Sequence, residues 1–116
     1  MEWNNIALEK SLSKVMENAK VIGDKFPHVS LDGKYNDEGP RFWTSGFWAG
    51  VLWLTYEETK DESIKELAIK LEENLDEPLD YFLTLHHDVG FMWIPSSLAH
   101  NRIEPNDKSR QRALKA

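Results

Sequence analysis

Eight consecutive residues, Phe47-Trp48-Ala49-Gly50-Val51-Leu52-Trp53-Leu54, carry no polar side chain. Such a segment suits a helix that is apolar all round, and a helix of that kind has to be enclosed by other elements. The rest of the chain must therefore supply its cover. With 116 residues there is room for one domain with a modest core. Thr44 or Ser45 is placed to cap this inner helix, which runs to about Thr59.

The flanking segments read as that cover. Leu8, Leu12, Val15, Ala19 and Ile22 step by four and three residues, so they form one stripe of an outer helix, with Gly23 suited to its C′ position. Ile64, Leu67, Ala68, Leu71 and Leu75 make a second such stripe behind Asp61, a natural cap. Pro78 is expected to open a short helix carrying Leu79, Phe82 and Leu83. Ser96 or Ser97 opens another through Ile103, and the last, from Asp107, is still under way at Ala116. Residues 24–40 break every periodicity, and a loop that long is uncommon unless it lines a site. No strand pattern rises above noise. The expected fold class is all-α, with outer and inner helices in concentric hairpins.

Charge and cysteine usage narrow the function classes. The net charge of −6, from 14 basic and 20 acidic residues, argues against a nucleic-acid partner. The start of the chain is charged and amphipathic and no run of 18 apolar residues occurs, so neither export nor membrane insertion is expected. The absence of cysteine agrees with a reducing compartment, and the cytoplasm is the expected location. It also removes disulfides, thiolate zinc sites and cysteine nucleophiles.

Among groups that remain, His86-His87-Asp88 is the sharpest feature. Adjacent residues share no helical face and alternate on a strand, so the three converge only on irregular backbone, which Gly90 makes easy. The stretch through Trp93 therefore reads as a loop. From the residues alone two readings stay open: a histidine caps a helix end while Asp88 accepts backbone N–H bonds in a turn, or the three form a site. A metal centre is not expected, because His28 and His100 stand alone and no further ligands occur at suitable spacing. Trp48 and Trp53 belong to the core of the inner helix. Trp43 differs, since it stands where the long loop meets that helix, beside Arg41 and Thr44, and one face can stay open to a sugar ring.

The stretch from Trp43-Thr44-Ser45-Gly46-Phe47-Trp48 to Leu54-Thr55-Tyr56-Glu57, followed by His86-His87-Asp88-Val89-Gly90-Phe91-Met92-Trp93 and Ser97, resembles the unsaturated glucuronyl hydrolases of glycoside hydrolase family 88. Gly23-Asp24-Lys25-Phe26-Pro27 and the closing Ala113-Leu114-Lys115-Ala116 fit the same pattern, so the resemblance spans nearly the whole chain. It implies an (α/α)6 toroid of twelve helices whose inner helices and loops line a pocket. The implied substrate is an oligosaccharide ending in a 4,5-unsaturated uronic acid, as a polysaccharide lyase leaves it on a glycosaminoglycan. The implied reaction hydrates the C4–C5 double bond: an acid protonates C4, water adds at C5, and the hemiketal collapses to release the neighbouring sugar, with no cofactor. Asp88 matches one of two active-site aspartates, Trp43 a pocket aromatic, and His86 and His87 flank the aspartate at the wall of the site.

The resemblance places the partner aspartate, the general acid and base, outside these residues. Twelve helices with their connections need roughly 200 residues, so residues 1–116 are expected to form an amino-terminal portion with five or six helices. A lone carboxylate cannot divide acid and base work, so the chain alone is expected to be inactive. One flank of the inner helix should lie uncovered and drive self-association or loose packing. The alternatives are a non-catalytic helical remnant or interaction module, or a related unsaturated rhamnogalacturonyl hydrolase.

Overall fold

The computed structural model describes residues 2–116, and they are mostly helical. Helix α1 spans Glu2–Ile22, α2 Phe47–Thr59, α3 Glu62–Asn74 and α4 Asp76–Asp80. A 3₁₀ turn, Phe82–Thr84, follows. Then α5 (Val89–Trp93) passes through a π turn (Ile94–Leu98) into α6 (Ala99–Ile103), and α7 spans Asp107–Lys115. Because residues 89–103 are helical without a break, the seven segments make six helical units, in keeping with the expected number.

Several sequence expectations hold in detail. Gly23 ends α1 at φ +58°, and Asp61 caps α3 by accepting from the backbone N–H groups of Ser63 and Ile64. Ile64, Ala68, Leu71 and Leu75 are fully buried, so α3 lies with its stripe on the core. Others fail for identifiable reasons. Neither Thr44 nor Ser45 caps α2; the chain enters through turns, and α2 starts after Gly46 with no side-chain cap. Helix α4 begins at Asp76 instead of Pro78, and Phe82 and Leu83 are exposed on the 3₁₀ turn. Only the second half of the α1 stripe packs; Leu8 is exposed. The all-α reading also missed a small antiparallel hairpin, Ser30–Leu31 (β1) against Lys34–Tyr35 (β2). Its turn is Asp32-Gly33, both at positive φ, which is the chemistry of a two-residue hairpin turn.

The largest departure lies after Asp88. The loop expected to run through Trp93 ends at Asp88, and neither Ser96 nor Ser97 opens a helix; both are buried inside one. Packing overrides the local pattern here. Gly46 sits so close to this helix that a Cβ would lie 2.4 Å from the carbonyl oxygens of Phe91 and Met92, and one at Gly50 would lie 2.7 Å from Pro95 Cβ. Two glycines one turn apart thus let α2 and residues 89–103 meet backbone to backbone, burying Met92 and Trp93. Pro95 lacks an N–H and its ring crowds the turn before it, which accounts for the π turn at that point. The Ser96 hydroxyl donates to the Met92 carbonyl at 2.6 Å.

A buried polar cluster fastens the end of the chain. Glu72 on α3 is 0% exposed, and His100 Nδ1 on α6 lies 2.6 Å from its Oε2 and 2.8 Å from Ser109 Oγ on α7. Arg112 donates to Glu72 and, through two nitrogens at 2.6 and 2.8 Å, to Asp76 on α4. Burial pushes the Glu72 carboxyl up, but hydrogen bonds from His100 and Ser109 and the charges of His100 and Arg112 outweigh it and hold the group below its ordinary value. The His100 ring stacks on Trp53 at 4.4 Å, which ties the cluster to the inner helix. Among the described residues, no helix is long and apolar enough to cross a membrane.

Candidate active site

Asp88 stands where α5 begins, yet its carboxylate does not cap that helix. The local bonding is the reverse of the simple turn reading: the Asp88 backbone N–H donates to His86 Nδ1 at 3.1 Å, so the imidazole accepts and the carboxylate is left out. The two histidines approach it without hydrogen bonding. His86 Nδ1 lies 3.7 Å and His87 Nε2 3.6 Å from Asp88 Oδ2. The Asp88 side chain is 26% exposed, His86 is partly covered, and His87 is almost wholly in solvent. The contrast with Asp61, which satisfies two backbone donors, is direct. A half-covered carboxylate without a backbone partner is free to accept hydrogen bonds from a ligand's hydroxyls.

Trp43 lies on the entry turns to α2, half-exposed, within a group of aromatic rings. Its ring meets Phe47 at 5.8 Å and Phe91 at 6.0 Å edge to face, with His28 and Phe42 at 6.5 and 6.2 Å. Phe91 is the link to the acidic segment, since its N–H donates to the Asp88 carbonyl at 2.9 Å. The glycine contact at Gly46 sets this arrangement by bringing the start of α2 against the start of α5. A hollow of about 430 Å³, which Phe47 helps to line, lies between α2 and the 89–103 helix, and one of about 350 Å³ between α1 and α2. Sequence reasoning missed Phe47, Phe91 and His28 as neighbours of Trp43. Gly46 four residues before Gly50 was the available signal for close helix approach.

His86, His87 and Asp88 therefore converge as the irregular backbone requires, and Trp43 joins their segment through Phe91. His28 and His100 serve elsewhere, in the aromatic group and in the buried cluster. Among the described residues, no group of three or more histidine or acidic side chains could hold a metal ion.

No protein-family model matches the chain. It is 42% identical over 113 residues to the unsaturated glucuronyl hydrolase of Bacillus sp. strain GL1, covering 95% of this chain and 30% of that protein. It is 33% identical over 112 residues to the unsaturated chondroitin disaccharide hydrolase of Streptococcus agalactiae, covering 95% of this chain and 28% of that protein. The chain thus spans about 30% of the length of these relatives. The solved Bacillus sp. GL1 enzyme, described as responsible for the degradation of glycosaminoglycan, superposes with a TM-score of 0.87 at 40% identity over 94% of this chain and 29% of that one. The solved Streptococcus agalactiae enzyme gives 0.84 at 31% identity over 96% and 30%. The helices described above are accordingly a partial α/α toroid. In sequence and in fold, the chain corresponds to the amino-terminal part of an unsaturated glucuronyl hydrolase.

Proposed function

We propose that the chain contributes one half of the catalytic machinery of a glycosidase that removes a 4,5-unsaturated uronic acid from lyase-generated oligosaccharides. The observation that carries this reading is the Asp88 carboxylate, placed at a helix start with no backbone partner, on a segment that also holds the ring packed against Trp43. A structure in the same fold family holds dGlcA-Glc-Rha-Glc, and another holds dGlcA-GalNAc6S. Both ligands begin with an unsaturated glucuronate, which supports that substrate class.

In this reading Asp88 accepts hydrogen bonds from hydroxyls of the unsaturated ring, while Trp43 stacks on its face. His86 orients the backbone at Asp88, and His87 stands at the rim. A second carboxyl group protonates C4 and water delivers its oxygen to C5; the hemiketal so formed opens, and the C1–oxygen bond to the next sugar breaks. By the resemblance, that second group is an aspartate outside these residues that serves in turn as general acid and general base. The 116 residues are therefore inactive alone, and their hydrolytic role requires the length that the relatives possess. Zero cysteine supports a cytoplasmic setting.

The test is a chimera. This chain replaces its matching segment in the Bacillus sp. GL1 enzyme, and loss of the conjugated alkene absorbance of an unsaturated disaccharide is followed. The chimera is expected to turn over, and its Asp88→Asn form to lose at least a hundredfold in kcat. A folded chimera whose rate does not change with Asp88→Asn overturns the reading.

A further inference from the structure

We propose that Arg41 is a positioning residue, which holds the turn bearing Trp43 against the segment bearing Asp88 through a forked ion pair with Glu77. This role rests on the hydrolytic reading and adds to it the group that keeps the two parts of the site in register. Arg41 reaches Glu77 across 36 residues of chain. Its Nε donates to both carboxylate oxygens, at 3.0 and 3.2 Å, and its Nη2 donates to Oε1. The guanidinium carbon also lies 5.7 Å from the centre of the Tyr81 ring. A planar guanidinium bound at two points and resting on a ring fixes direction as well as distance, which a single charge–charge contact does not.

Both ends of this clamp lead to the site. Trp43 stands two residues after Arg41, on backbone that is neither helix nor strand and only turns: Ser45 N–H donates to the Phe42 carbonyl and Phe47 N–H to that of Thr44. On the other side Glu77 belongs to α4 and Tyr81 follows it, and the chain then runs to Asp88 through one 3₁₀ turn. Among the described residues, the backbone N–H bonds of this run are local: Tyr81 to Glu77, Thr84 to Tyr81 and Leu85 to Phe82. Side chains therefore place it. Leu85 packs on the core, and Arg41 engages Glu77 and Tyr81. Phe91 joins Trp43 to the chain just after Asp88, and Arg41 joins the Trp43 turn to the chain before it. Asp88 is thus held from both directions relative to the ring with which it has to share one sugar. An exposed ion pair adds little to stability, so its effect falls on placement.

The test measures kcat and KM of the chimera on the unsaturated disaccharide. Arg41→Ala and Glu77→Ala change side chains 44% and 43% exposed, so each should keep the helical circular dichroism. Each is expected to lower kcat/KM about tenfold, on the scale that misplaced groups reduce rates. Arg41→Lys keeps the charge but loses the fork, so it should recover less than half of that loss. In a Trp43→Ala background, Arg41→Ala should lower kcat/KM by less than about twofold, because no ring remains to be placed; a merely stabilising pair would act alike in both backgrounds. Lys65→Ala breaks another surface pair, to Glu104, beside Tyr56 near the far end of α2, and should leave both parameters unchanged. An unchanged kcat/KM in Arg41→Ala or Glu77→Ala, full activity in Arg41→Lys, or an equal loss with and without Trp43 overturns the proposal and leaves the hydrolytic reading standing. A chimera indifferent to Asp88→Asn overturns that reading, and this role of Arg41 with it.

Discussion

Replacing Gly46 by alanine isolates the contact that positions the site. Gly46 has φ −84° and ψ −18°, a right-handed helical conformation that alanine adopts without strain. On backbone grounds alone the change stabilises by roughly 0.4–1 kcal/mol through the unfolded chain. The new Cβ, however, falls 2.4 Å from two backbone carbonyl oxygens, whereas real Cβ contacts are essentially never under 3.0 Å. The 89–103 helix must recede by at least 0.6 Å (3.0 less 2.4), and no side-chain rotation can relieve it because both atoms are backbone. Overpacking of this kind costs about 1–3 kcal/mol. The balance is a net loss of about 1–2 kcal/mol and a Tm lowered by roughly 5–10 °C. Gly90→Ala is the control, since its Cβ meets only Ile94 Cδ1 at an ordinary 3.5 Å in a helix that favours alanine. Urea unfolding of both variants, followed by tryptophan emission, decides the matter. Gly46→Ala as stable as Gly90→Ala would refute the close approach of α2 and α5.

The buried cluster gives a pH dependence of definite sign. Because the folded Glu72 carboxyl lies below its unfolded value, its contribution is present above the ordinary carboxylate range and disappears as pH falls through the folded value. Glu72→Gln should therefore lower stability at neutral pH, by about 3 kcal/mol for a broken buried pair, and flatten its decline in acid; an unchanged decline in urea titrations at successive pH values would contradict this. In the chimera, Trp43→Ala should raise KM about tenfold, the loss of roughly 1.4 kcal/mol of ring stacking, with a smaller effect on kcat; equal KM values would remove Trp43 from the substrate.

Periodicity located α1 and α3, whose apolar residues recur at helical spacing, and the unbroken apolar run 47–54 located α2. It failed where tertiary contact decides. Nothing in His86–Trp93 shows that a helix begins at Val89; that depends on Gly46 and Gly50 accepting the backbone of residues 91–95. The Asp32-Gly33 turn was legible as turn chemistry, but two-residue strands are too short to alternate. At the site, the convergence of His86, His87 and Asp88 could be read from adjacency plus an irregular backbone. The direction of the bond between His86 and Asp88 could not, since it rests on the dihedral angles of that one turn. The Glu72–His100–Arg112 cluster was invisible because its members lie 12 to 40 residues apart on helices whose charged residues otherwise face solvent.

The most direct test of the catalytic account is a crystal structure of the Asp88→Asn chimera soaked with an unsaturated chondroitin disaccharide. The unsaturated ring is expected to stack on the Trp43 indole with a hydroxyl in hydrogen-bond reach of residue 88. A sugar bound in the chimera with Trp43 and residue 88 both remote from its unsaturated ring would contradict the account.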